Sequence, residues 1–411
     1  MRSGVRWFVI VVVVAHGLVH VLGAEKGLGW ADVSQLTQPI SASLGVAWFV
    51  TAVLVVAAGM LSAMSVPWWW AVGAVAGVAS QTLIITAWSD ARAGTLANIL
   101  LLLAVVYGYA SHGPRSYRAE FRRRSHLALA APLTDGVVTE ADLRTLPAPV
   151  AAYVRQSGAV GQDHVVTLHA DISGRIRSAP SARWMTFHGE QVNTFGSDPT
   201  RLFFIDATML GVPLDVLHVF VGRSATMRVK AGSLVRIVHA AGPALDQAET
   251  VTLFNDLCVL APAALVDAPV AWEAMDEHHT RGTLTRGLHQ AVAVLVFNDD
   301  HELVDFISDD RLQVSSHGQT AVAQRWSTPL RGSRTFGADR IASGGNGRWH
   351  APEPDGEYTY IEFQVDDITY NSGRRRRGNT GPHRSSVHEA RAGGSGDQVE
   401  PPPPRDRSHV L

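Results

Sequence analysis

Two histidines stand four residues apart inside an otherwise apolar run, in the stretch His16-Gly17-Leu18-Val19-His20. On a helix that spacing puts both imidazoles on one face. Ionisable groups inside a membrane span face the bundle interior and are functional by default, and imidazole can exchange a proton or hydrogen-bond a quinone head or another small polar group. Further polar residues stand at matching depth where later apolar segments end or begin: Gln81, Thr86 and Asn98, with Asp90 and Arg92 in the short loop between. The candidate ligand-binding site is therefore a membrane polar cluster of His16, His20, Gln81, Asp90, Arg92 and Asn98, with the two histidines and Asp90 expected to converge near the outer membrane surface. The plainer reading is hydrogen bonding that locks the helices together, which in membranes contributes about 0.6–2 kcal/mol per pair. Haem ligation between helices is disfavoured, because no other apolar segment holds a histidine and His112 ends the fourth on the opposite side.

Other reactive residue types carry less. Asp276-Glu277-His278-His279 and Asp299-Asp300-His301 resemble metal ligands by type, but neither has the spacing of a zinc or calcium loop, and both read as solvated turns. The single cysteine, Cys258, excludes an internal disulfide framework and sits on the apolar face of its helix as a small core residue. No Gly-x-Ser-x-Gly elbow or phosphate loop occurs, and Ser343–Gly347 reads as a flexible glycine-rich loop. Trp184, Trp272, Trp326 and Trp349 could line an apolar cavity or fill a β core. No catalytic residue, metal site or cofactor is expected, and the reading leans away from an enzyme.

The elements that must position these residues begin with four apolar segments, Trp7–Gly23, Leu44–Met64, Pro67–Trp88 and Thr95–Ser111. No Asp, Glu, Lys or Arg lies between Val33 and Ser89. Each segment approaches the roughly 20 residues that cross about 30 Å of hydrocarbon. The first follows Arg2 and Arg6 but lacks a small-x-small cleavage pattern, so it reads as a retained helix and not a signal peptide. Five arginines (Arg115, Arg118, Arg122, Arg123 and Arg124) follow the fourth segment. Basic flanks mark the cytoplasmic side, so both termini and the soluble part are expected there, in an inner (plasma) membrane. The stretch 117–130 then reads as a juxtamembrane helix whose arginines face anionic head groups, each contributing about 1 kcal/mol.

Past a linker over residues 131–145, a short helix follows Pro149 and stops at Gly158. From Val165 the period changes to two, as Val166, Leu168, Ala170 and Ile172 alternate with polar neighbours. Strands are expected at 183–187, 201–209, 224–229, 234–239, 282–285, 291–298, 303–308, 312–316 and 358–370, with a tight turn at Asn298-Asp299-Asp300. A helix is expected over Ala248–Leu260, and a shorter one over Leu214–Val221. The fold class is α+β: a transmembrane four-helix bundle (1–112), a basic juxtamembrane helix and linker (113–145), a mainly antiparallel β domain (146–371) shaped as a curved sheet or half-barrel with helical insertions, and a tail (372–411) too polar to order itself. The net charge of -2 over 411 residues hides the basic clusters at 115–124 and Arg374–Arg377.

The motifs HGLxH at His16–His20, Ser80-Gln81-Thr82-Leu83-Ile84, Trp88-Ser89-Asp90-Ala91 and Asn98 resemble those of an uncharacterised family of bacterial four-helix membrane proteins with a C-terminal β-rich domain of unknown function. LPAPVAAYVRQSGAVG, RWMTFHGEQ, LDQAETVTLFNDL, RWSTPLRG and YTYIEFQVDDITYN carry the same resemblance through residue 371. It implies no activity. The order strands, helix, strands is also distantly similar to the periplasmic lipoprotein carriers, half-barrels with a helical plug over an apolar cavity. Two functions remain open. The first is binding of a lipid or other apolar small molecule by the β domain beside the membrane, with membrane lipids as partners and no nucleic acid. The alternative is a redox, quinone-linked or transport module built on His16, His20 and Asp90.

Overall fold

The computed structural model describes residues 3–314 and 320–372. The basic tail from Gly373 onward and the last two positions of the expected 312–316 strand lie outside the described residues. The chain begins with α1 (Ser3–Leu28), α2 (Ala42–Ala63), α3 (Trp69–Thr86), the single turn α4 (Trp88–Ala91) and α5 (Gly94–His112). Among the described residues, four helices are long and apolar enough to cross a membrane: α1, α2, α3 and the one beginning at Gly94. Small residues let them approach: a Cβ on Gly27 would stand 2.6 Å from Gly45 Cα, so α1 and α2 touch backbone to backbone.

Next comes α6 (Tyr117–Ala128), whose first free N–H groups are capped by Ser116 Oγ, which accepts from Ala119 N. Its Tyr117 and Phe121 do not face a membrane. They pack on Val192, Leu202, Phe204, Leu217 and Val219 of the sheet. Arg118 reaches Glu190 at 3.4 Å and Asp206 at 2.9 Å, and Glu120 holds Arg228 at 2.7 Å. The lipid-facing role expected for these arginines is thus corrected for Arg118, which is spent on protein carboxylates, while Arg122, Arg123 and Arg124 remain exposed.

The β domain opens with α7 (Ala148–Gln156) and continues through β1 (Thr167–Ile176), β2 (Met185–Thr194), β3 (Thr200–Met209), β4 (Val212–Val221), β5 (Ser224–Ala231) and β6 (Val235–Ala241). The chain then enters α8 (Pro243–Leu260), β7 (Val270–Ala274), β8 (His279–Arg286), β9 (His289–Phe297) and β10 (Leu303–Ser308). It closes with β11 (Leu312–Val314), β12 (Ala321–Ala323), β13 (Trp326–Ser327), β14 (Leu330–Phe336), β15 (Asp339–His350) and β16 (Glu357–Tyr370). One antiparallel 14-stranded sheet runs β6-β5-β4-β3-β2-β1-β16-β15-β13-β10-β9-β8-β7, with β14 on β15. The path has two ends, β6 and β7, so the sheet is open and not a closed barrel.

Side chains alternate across a strand, and β3 buries both faces. Leu202 and Phe204 point to α6, while Phe203 and Ile205 join the main core under α8. That explains why residues 201–205 are all buried, with no exposed position between them. Helix α8 is enclosed on nearly every side, with Val251, Phe254, Leu257 and Cys258 in the core. Two of its last carbonyls, Cys258 O and Leu260 O, accept from the hydroxyls of Tyr153 (2.9 Å) and Tyr370 (2.5 Å), which satisfies groups that a helix end leaves open.

Two expectations are overturned. Leu214–Val221 is strand β4 and not a helix: Leu210 (φ 52°) and Gly211 (φ 89°) form a two-residue hairpin turn, and Met209 then pairs with Val212. Ser343–Gly347 is part of β15 and not a loop. Its glycines serve close packing, since a Cβ on Gly344 would meet Phe363 O at 2.5 Å and one on Gly347 would meet the Ile361 side chain at 2.6 Å.

Candidate functional site

Alternation on β3 turns Arg201, Phe203 and Ile205 toward α8. Helical spacing places Glu249, Thr252 and Asp256 on one side of α8. The two meet. Arg201 Nη1 lies 3.1 Å from Glu249 Oε2, and Arg201 Nε lies 2.6 Å from Asp256 Oδ2. From β2, Gln191 Nε2 (2.7 Å) and Asn193 Nδ2 (3.1 Å) also donate to Asp256 Oδ2. From β4, His218 Nδ1 stands 3.6 Å from Glu249 Oε1. Arg201, Glu249 and Asp256 are all buried. Burial alone would push the Glu249 carboxyl up, but the Arg201 guanidinium, with His218 and Arg311 beyond it, outweighs burial and brings it down to about 2. Burial likewise opposes the charge on Arg201, and its two carboxylates more than restore it.

This cluster stands between two cavities that share part of their lining. The larger, 620 Å³, has apolar walls of Phe203, Ile205, Met227, Leu245 and Val322. The smaller, 90 Å³, is lined by Phe187, Val259, Leu260 and Phe363 among others. Arg201, Phe203 and Tyr360 border both. Of the four tryptophans weighed as cavity lining, Trp349 borders the larger space and Trp326 the smaller. Trp184 instead lies under the guanidinium groups of Arg175 and Arg177, and Trp272 packs on Phe254. An apolar cleft with a few fixed charges is built to hold a ligand with an apolar body and a polar end. Burial pushes the Cys258 thiol well up, away from nucleophile chemistry. Asp276 spends its Oδ1 on the backbone N–H groups of His278 and His279, both at 2.8 Å, as a turn requires.

In the bundle, four of the six candidate residues meet and two do not. His16 Nε2 lies 3.0 Å from Asn98 Oδ1, and His20 Nε2 lies 2.9 Å from Ser80 Oγ. His20 Nδ1 donates to His16 O at 3.0 Å, and Asn98 Nδ2 donates to Gln81 Oε1 at 3.0 Å. Ser80 Oγ stands at the centre, 2.9 Å from His20 Nε2, 2.9 Å from Asn98 Oδ1 and 3.2 Å from His16 Nε2, and its single hydroxyl proton can serve His20 Nε2 or Asn98 Oδ1 but not both. Asp90 takes other partners. It accepts from Thr37 N (2.6 Å), Thr37 Oγ1 (2.7 Å) and Gln38 N (2.9 Å), which ties the α1–α2 loop to the loop before α5. The Gln38 N–H first, then the Thr37 hydroxyl, hold its carboxyl down at about 2. Arg92 is exposed. A 220 Å³ cavity within the bundle is lined by Arg6, Tyr107 and His112, and not by His16 or His20.

Each of His20→Ala and Asn98→Ala is expected to cost the bundle about 0.6–2 kcal/mol, as interhelical hydrogen bonds in membranes do. Thermal unfolding of the full chain in mild detergent reads this loss. Melting unchanged by both substitutions would remove the locking role.

Sequence reasoning did not single out Arg201 or Glu249, and it named Ser80 only as part of the Ser80–Ile84 motif and not as a site residue. The available signal was an arginine opening the apolar run Leu202–Ile205, together with two acids seven residues apart in an apolar helix.

Residues 136–363, more than half of the chain, match the model of a Family of unknown function (DUF6544). No curated protein matches. Among solved structures, the chain is similar to a putative outer membrane lipoprotein-sorting protein domain from Vibrio parahaemolyticus, at 10% identity and a TM-score of 0.30 over 51% of this chain and 90% of that one. A DUF1329 family protein from Desulfovibrio piger matches at 15% identity and a TM-score of 0.30, over 54% and 92%. A LolA superfamily protein from Nitrosomonas europaea matches at 8% identity and a TM-score of 0.30, over 57% and 94%.

Proposed function

We propose, from the premise that the chain belongs to the family of unknown function DUF6544, which brings no activity with it, that the protein binds a lipid or other apolar ligand in its β domain beside a membrane. The observation that carries this reading is the 620 Å³ cleft under α8, lined by apolar side chains together with a few charged ones at Arg177, Arg201, Glu249 and Arg311. Burying an acyl chain there would gain about 0.8 kcal/mol per CH₂. Placement beside the membrane has two supports. Four helices long and apolar enough to span one precede the domain. The β3–β4 and β5–β6 hairpins expose Leu210, Leu234 and Val235, and Asp206 and Asp215, close to the first of these turns, lie near Tyr107 of α5. The hydrogen bonds of the bundle network close on one another, so we read His16, His20, Gln81 and Asn98 as a lock between helices.

The five arginines that follow α5 place the β domain, in this reading, on the cytoplasmic side. A reporter fused after Asp135 should give a cytoplasmic signal, whereas labelling of a cysteine engineered at that position from outside the cell would reverse the orientation.

Untargeted mass spectrometry of the full chain purified in mild detergent tests the function. A single class of amphiphile near one molecule per chain is expected. Only detergent and the bulk lipids of the membrane in their ordinary proportions would count against a dedicated site.

A further inference from the structure

We infer that the cleft selects amphiphiles whose polar end is an anion, a carboxylate or a phosphate, and that Arg311 is the residue that reads the charge. The inference rests on the cleft being the binding site. Three guanidinium groups border it, those of Arg177, Arg201 and Arg311, and their partners differ. Arg201 is closed off by Glu249 and Asp256. Arg177 gives Nε to Thr359 O at 2.8 Å and Nη1 to Pro180 O at 2.6 Å. Among the described residues, Arg311 has one long hydrogen bond, Nε to Thr252 Oγ1 at 3.3 Å.

The rest of its surroundings is aromatic. The Arg311 guanidinium carbon lies 4.6 Å from the Trp326 ring centroid, 5.0 Å from that of Trp349 and 5.9 Å from that of Tyr360. Among the described residues it forms no ion pair within 4.0 Å. The acids beside it in sequence are engaged elsewhere, Asp309 with Arg325 at 2.8 Å and Asp310 with Val292 N at 2.7 Å. Three cations against Glu249 and Asp256 leave the cleft with one positive charge in excess.

Glu249 feels the Arg311 charge but is paired with Arg201; half-burying a cation that has no ion-pair partner of its own among the described residues costs free energy, and ring faces recover only part of it. Stacking also fixes the plane of the guanidinium while leaving its two Nη groups as a fork, which matches the paired oxygens of a carboxylate or phosphate. An anion seated there would place its tail along Phe203, Ile205, Met227 and Leu245.

Native mass spectrometry of the full chain, titrated with three amphiphiles sharing one tail, tests this: oleate, oleoyl lysophosphatidate and the neutral monoolein. At least one anionic probe is expected to bind at least tenfold tighter than monoolein, and the better of the two distinguishes a carboxylate from a phosphate site. Arg311→Gln should bring both anions to the monoolein affinity without changing monoolein itself, and Arg311→Lys should keep part of the preference. Equal affinities in the unaltered protein, or a preference that survives Arg311→Gln, would overturn the inference. Binding of none of the three would instead overturn the cleft as a site. The comparison in the unaltered protein stands even where a variant fails to fold.

Discussion

Arg201→Met is expected to destabilise the β domain by about 3–5 kcal/mol, the largest single-residue effect in the molecule, because it leaves two buried carboxylates without their cation. Glu249 and Asp256 lie 3.1 Å and 2.6 Å from the guanidinium and are buried. Urea unfolding followed by tryptophan fluorescence measures the loss. Adding Glu249→Gln and Asp256→Asn to Arg201→Met should return most of it, since neutral amides can keep the contacts of Gln191 and Asn193 without a buried charge. A loss below about 1 kcal/mol for Arg201→Met alone would mean that the cluster is more hydrated than its burial indicates.

The same variant should also change the pH profile. In the folded protein Glu249 titrates at about 2 against an ordinary 4.5, so its contribution is full above 4.5 and is lost as pH falls toward 2. Without Arg201 the effect of burial dominates, the folded carboxyl rises above its unfolded value, and acidification then stabilises. The stability gap between the two proteins should therefore be widest near neutrality and narrow from pH 7 toward pH 4. A gap constant over that range would separate Glu249 from Arg201 energetically.

The second large effect is on ligand binding. Met227 sits on β5 in the wall of the 620 Å³ cleft and is half-buried, so it borders open space. Met227 also packs on a small cluster of Phe220, Ala225, Ala240, Leu245 and Leu253, outside the main core that holds Val251, Phe254, Leu257 and Cys258, and Met227→Trp adds bulk on the cleft side. Copurifying amphiphile is expected to fall at least tenfold in protein that still melts cooperatively. Full ligand occupancy in a well-folded Met227→Trp protein would place the ligand elsewhere.

How much of this was open to reading from the chain follows from the range of the forces involved. The four long apolar helices were legible because hydropathy is a local property of the chain. His16 and His20 were legible as a pair through helix periodicity, and Gln81 and Asn98 through depth. Asp90 was misplaced because its partners are the backbone N–H groups of Thr37 and Gln38, and a loop's fold is not written in residue types. Strand β4 was read as a helix because Leu210-Gly211 is a weak turn signal until its two positive φ values are seen. Strand β15 was read as a loop because Gly344 and Gly347 are required by neighbours across the sheet. The cleft was hidden for a like reason. Arg201 lies 48 residues before Glu249 and 55 before Asp256, and no spacing rule joins a strand to a helix at that distance.

The most direct test of the binding site is to map where an amphiphile attaches. The full chain in mild detergent is photolabelled with a fatty acid carrying a diazirine in its tail, then digested and sequenced by mass spectrometry. Labels are expected on peptides holding Phe203 and Ile205, Met227 and Leu245, and to disappear in Met227→Trp. Labels confined to α1–α5, or to the opposite sheet face around Leu202 and Phe204, would contradict a binding site under α8.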